Sequence, residues 1–139
     1  MEIDTETLRP LDDPVFQLLL EQAVTGQVPV YGIVVDVALL VPFAVDHCPE
    51  GTAEGRSIVQ SMIGAWQDGQ RFQPWVYPRA GQFVVSDDYM ILAMAKAGGL
   101  ETIGCRCLGE PDRATLHDCQ GPLGVDYVCM ALGLGDPHK

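Results

Sequence analysis

The chain has 139 residues, 47% of them hydrophobic and 19% charged, a composition that suits one packed core and excludes both wholesale disorder and two ordinary domains. Nineteen acidic residues against eight basic ones give a net charge of −11, which disfavours a broad basic surface for nucleic-acid phosphates. The five cysteines, Cys48, Cys105, Cys107, Cys119 and Cys129, are an odd number without a CxxC pair, and this fits reduced thiols better than a disulfide framework.

Residues 1–12 are polar and acidic and are expected to form a flexible arm, with a single domain over 13–139. Met1 is followed by Glu2, Asp4 and Glu6 instead of a basic segment and an apolar run, so neither a secretory leader nor a membrane anchor is expected, and the location is cytoplasmic by default. The longest apolar run, Val37 to Val45, contains Pro42 and is far below spanning length.

Asp13 followed by Pro14 is an N-cap with proline at the first helical position, and Val15, Leu18, Leu19 and Ala23 recur at helical spacing up to Gly26. A helix over about 13–25 follows. Val30 to Val41 is rich in Val, Ile and Leu and predicts a buried strand, broken near Asp36 and ended by Pro42. A loop over 46–55 leads through Thr52 into a helix over 53–68, with Ile58, Met62 and Ala65 or Trp66 along one side. Gln73 to Tyr77, a turn at Arg79-Ala80-Gly81, and Gln82 to Val85 predict a hairpin. Ser86 is the expected N-cap of the next helix, with Asp87 and Asp88 in its first turn and Gly98-Gly99 at its end. Thr102 to Leu108 predicts a strand with Ile103, Cys105 and Cys107 on one face. Beyond Pro111 glycines and prolines break the periodicity, and only Asp126 to Leu132 predicts a further short helix.

The order strand, turn, strand, helix, Gly-Gly, strand over 73–109 resembles the central unit of the ParB/sulfiredoxin family. The places of that unit are taken by Pro74, Gly81, Val84 with Val85, Ala93, Gly98 and the strand Ile103-Gly104-Cys105-Arg106-Cys107. Upstream, Val35 to Pro42 resembles the family's first strand and its Leu-x-Pro exit, so the resemblance covers about 35–109. It implies a single small ParB/sulfiredoxin-like domain of mixed α/β class, with a mixed sheet and flanking helices. In that family the strand-to-helix junction carries His-Arg or Arg-Arg for nucleotide phosphates, or a Cys-His-Arg whose thiol does the chemistry. This sequence has Ser86-Asp87-Asp88-Tyr89-Met90 instead, which makes it a degenerate member by resemblance. Asp87 and Asp88 repel a phosphate where a helix N-terminus would otherwise attract one, and Tyr89 and Met90 supply neither cation nor thiol.

The candidate ligand site is therefore Ser86, Asp87, Asp88 and Tyr89 with Arg79. Asp87 and Asp88 are also candidate ligands for magnesium or manganese, although a favourable helix-start charge explains adjacent acids equally well. Cys105 and Cys107, with His47, Cys48, His117 or Cys119, have the donors for a soft metal site but not the spacing of a zinc knuckle, and buried cysteines in a core are the expected reading. His47-Cys48, with Asp46 nearby, is the most reactive-looking pair, but it lacks a visible oxyanion hole. Trp66, Phe72, Trp75 and Tyr77 are core anchors by default, and Arg56, Arg71 and Arg79 are the remaining candidate anion cluster. The first functional expectation is a binding or regulatory domain for a protein partner or small ligand. The alternatives are a metal-assisted nucleotide or phosphate-ester enzyme of the same fold, and an acidic decoy for a basic, nucleic-acid-binding partner.

Overall fold

A computed structural model describes residues 13–43 and 51–133. The expected arm over 1–12 and the pair His47-Cys48 with Asp46 lie outside the described residues.

Helix α1 (Pro14–Val24) starts where Asp13 accepts from the backbone N–H groups of Val15 and Phe16. The long apolar run forms strand β1 (Val30–Asp36), a 3-10 turn over Val37–Leu39 and strand β2 (Leu40–Pro42), so the break falls beside Asp36 as expected. Helix α2 (Ala53–Gln67) begins at Thr52, whose hydroxyl accepts from Gly55 N–H at 2.9 Å. Its buried side is Val59 with Met62, Ile63 and Trp66, whereas Ile58 is 41% exposed, so the expected stripe is offset by one residue.

Strands β3 (Trp75–Arg79) and β4 (Gln82–Val85) form a hairpin in which Arg79 is opposite Gln82. The two turn residues, Ala80 and Gly81, have φ of 53° and 80°, the left-handed pair that matches the twist of the flanking strands. Helix α3 (Tyr89–Ala97) ends at Gly98, and Gly99 at φ 70° lets Leu100 N–H reach back to Ala95 O at 3.0 Å. Strand β5 (Thr102–Leu108), strand β6 (Leu116–Gln120) and helix α4 (Val125–Ala131) complete the described chain.

The strands make one mixed sheet of order β2-β4-β3-β5-β1-β6, parallel at β2–β4 and β3–β5 and antiparallel at the other contacts. Alternation along the strands supplies two cores. On one face Ile33, Val35, Val76, Phe83, Ile103, Cys105 and Cys107 pack against α2 and α3. On the other, Val30, Trp75, Tyr77, Val84 and Leu108 pack against Phe16 and Ala23 of α1 and Val128 of α4. The fold class is thus the expected single small mixed α/β domain. Among the described residues no helix is long and apolar enough to cross a membrane.

Candidate functional site

The junction between β4 and α3 is organised by a residue from the far end of the sequence. Asp13 and Ser86 are both 0% exposed. The Ser86 hydroxyl donates to Asp13 Oδ2 at 2.5 Å, and the Tyr77 hydroxyl donates to the same oxygen at 2.6 Å. Oδ1 of Asp13 accepts from Val15 N–H at 3.0 Å and Phe16 N–H at 3.3 Å. A buried carboxylate with four donors is satisfied, and it joins α1, β3 and the junction at one point. Burial pushes the Asp13 carboxyl up, but the hydrogen bonds from Ser86, Tyr77, Phe16 and Val15 outweigh it and hold the group below its ordinary value. Burial first, and then Asp13, push the Tyr77 phenol up to about 12.

This arrangement corrects the expected cap. Asp88, not Ser86, occupies the N-cap position of α3, and it makes no side-chain cap hydrogen bond, so no acid lies in the first helical turn. Ser86 is turned toward Asp13 instead. Oδ2 of Asp88 accepts at 2.8 Å from the backbone N–H of Trp75, the first residue of β3. Burial lifts the Asp88 carboxyl to about 6; the Trp75 N–H opposes the rise, neighbouring Asp87 adds to it, and Arg106 opposes it. Burial also raises the exposed-side neighbour Asp87. Tyr89 is buried, so of the four junction residues Asp87 is the exposed one and Asp88 is half-buried.

Arg79 is not brought to the junction. It sits at the hairpin end of β3, on the order of 13 Å along the strand from Trp75. There it lines a shallow recess of about 220 Å³ with Gly81, Glu110, Asp112 and Thr115. Arg71, another member of the expected anion cluster, is engaged at the end of α2 instead. The Arg71 guanidinium lies 4.4 Å from the centre of the Trp66 ring and donates to Trp66 O and Gln70 O, both at 3.0 Å. Trp75 and Tyr77 are core residues beneath α1 and α4, and Trp66 stacks on Phe72 with ring centres 6.4 Å apart.

The cysteine expectation resolves in favour of the core. Burial pushes the Cys105 and Cys107 thiols up to about 12, far from the thiolate that soft-metal binding or nucleophilic attack requires. His117 is drawn away to the sheet edge, where Nε2 lies 2.7 Å from Asp36 Oδ1. Among the described residues no three His, Cys, Asp or Glu side chains gather in a way that could hold a metal ion.

Sequence reasoning missed Arg106. On β5 it points to the α1/α4 face, with its guanidinium 5.5 Å from the centre of the Trp75 ring and Nε donating to the Tyr127 hydroxyl oxygen, Oη, at 3.4 Å. The available signal was a lone cation in an otherwise uncharged strand, Thr102 to Leu108.

The site is thus the strand-to-helix turn of a mixed α/β sandwich, acidic at its surface and bordered by one arginine. No family model and no curated protein matches the chain. Its fold is distantly similar to the crystal structure of sulfiredoxin from Arabidopsis thaliana, with a TM-score of 0.46 and 12% identity over 60% of this chain and 90% of that one.

Proposed function

We propose that the chain is a degenerate ParB/sulfiredoxin-like domain that works by binding, as a regulatory protein for a partner or a small ligand, and not by catalysis at the strand-to-helix junction. The observation that supports this reading is the engagement of the junction's polar groups within the fold. The Ser86 hydroxyl is fully buried on Asp13, and Asp88 holds the Trp75 N–H. Ser86 is enclosed with its proton spent on Asp13, and one Asp88 oxygen is spent on the backbone, which supports a structural role for the turn.

A second reading keeps a metal-assisted nucleotide or phosphate-ester site at Asp87 and Asp88. It is favoured by one observation: both carboxyls are held above their ordinary value, a state that a bound magnesium or manganese ion would relieve. The two readings part in a thermal-shift screen of nucleotides with and without magnesium or manganese, paired with a phosphate-release assay. The binding reading expects no metal-dependent stabilisation by any nucleotide and no turnover. A metal-dependent rise in melting temperature together with turnover, both abolished by Asp87→Ala, would overturn it.

A further inference from the structure

The two edges of the sheet are finished differently. At one edge β2 is three residues long and ends at Pro42, a short strand closed by proline. At the other, β6 is five residues long and holds no proline. Its register shift lies toward Leu116, so Asp118, Cys119 and Gln120 run regularly against Val34, Ile33 and Gly32. Where β1 begins, Pro29 O accepts from Gly109 N–H on the β5 side and Val30 O from Leu123 N–H on the β6 side. Alternation then turns Gly32 and Val34 toward β6, so Gln120 and Asp118 spend their backbone groups on β1, and Cys119 turns its N–H and C=O to the open side. Among the described residues no hydrogen bond takes up those two groups.

The side chains along this edge are sorted by face. Leu116 and Cys119 are half-buried against the α2/α3 core, whereas Asp118, opposite Val34, is exposed on the other face with Gln120. Asp118 accepts from Gln120 Nε2 at 3.5 Å, and among the described residues it makes no ion pair. A second copy of the chain would bring its own Asp118 and a further net charge of −11 to this edge. A strand with cations on one face and apolar side chains on the other meets attraction instead.

We propose that β6 takes up an extended basic segment of a partner protein as a further strand, its backbone paired with Cys119, its lysines or arginines beside Asp118 and its alternate apolar side chains beside Leu116 and Cys119. Main-chain hydrogen bonds supply the hold, and the alternation of side chains supplies the selection. The inference rests on the binding reading above and gives it a class of partner.

The test is amide hydrogen exchange and an amide-resonance titration of the full chain with a short capped peptide of alternating lysine and valine. Two peptides of equal length run beside it, one of alternating glutamate and valine and one of alternating lysine and proline, which keeps the charge but loses backbone donors. In the free chain the Cys119 amide should exchange much faster than those of Asp118 and Gln120. The lysine–valine peptide should slow it at least about tenfold and shift its resonance saturably, and neither control should. Cys119→Pro removes only an outward donor, a change that an edge strand accommodates, and should abolish binding. Asp118→Lys keeps every backbone group and should weaken binding at least about threefold, so it carries the test even where Cys119→Pro does not give the dispersed spectrum of a folded protein. Equal binding of the lysine–proline peptide, unchanged affinity in the folded variants, or a Cys119 amide already protected in the free chain, as in a dimer joined at this edge, overturns the proposal. Peptide shifts confined to 86–89 would sink this edge and leave the binding reading standing. Metal-dependent nucleotide turnover would sink the binding reading, with the Cys119 exchange still deciding the edge.

Discussion

Ser86 and Asp13, 73 positions apart in sequence, share a hydrogen bond of 2.5 Å in which neither residue is exposed. A carboxylate that caps one helix therefore also fixes the turn into another. Ser86→Ala removes one charge-assisted donor while Tyr77 and two backbone N–H groups still hold the acid, and should cost about 1–2 kcal/mol. Asp13→Ala removes the cap and strands two buried hydroxyls, and should cost on the order of 3–5 kcal/mol. That is a large part of an ordinary domain's stability of about 5–15 kcal/mol. Urea denaturation of the two variants checks the order; equal losses would mean that Asp13 acts only as a cap.

The same cluster sets limits on both sides of the pH range. The Asp13 carboxyl is held below its ordinary value of 3.8, so its contribution is complete above that pH and is lost as pH falls through the lower folded value. Tyr77 is raised from 10.0 to about 12, so its contribution is complete below 10 and is lost as pH rises through about 12. Melting temperature measured against pH should show Asp13→Asn flattening the acid limb and Tyr77→Phe the alkaline limb. An acid limb unchanged in Asp13→Asn would place the acid-sensitive group elsewhere.

Much of this fold is legible in the sequence, because local chemistry sets it. Asp13-Pro14 starts a helix, Pro42 ends a strand, and Ala80-Gly81 makes the turn between Arg79 and Gln82. Strand β6 is not legible. It is an edge strand of Leu116, His117, Asp118, Cys119 and Gln120, mostly exposed, with a register shift opposite Val34 and Val35, so its apolar residues follow no period. The strand-to-helix junction is legible between Val85 and Tyr89, but the hydrogen bonding of its residues is not. Ser86 looks like a cap from its neighbours alone; its real partner comes from α1, and no local pattern encodes that distance. Arg106 escaped for the same reason, since Trp75 and Tyr127 reach it from β3 and α4.

Asp88 has the opposite sign to Asp13. Its folded carboxyl is lifted from 3.8 to about 6, chiefly by burial, so the ionised form is disfavoured by folding. Stability is therefore greatest below about pH 4 with respect to this group and declines as pH rises through about 6. Asparagine at this position keeps an oxygen to accept from Trp75 N–H and removes the charge. Asp88→Asn should then raise stability at pH 7.5 by on the order of 1–2 kcal/mol, after discounting for partial exposure, and the gain should vanish by pH 4. Melting curves of the two proteins at both pH values check this. A variant that is less stable at pH 7.5 would show that the charged carboxylate is needed to hold the start of β3, and that its proximity to Arg106 outweighs its burial.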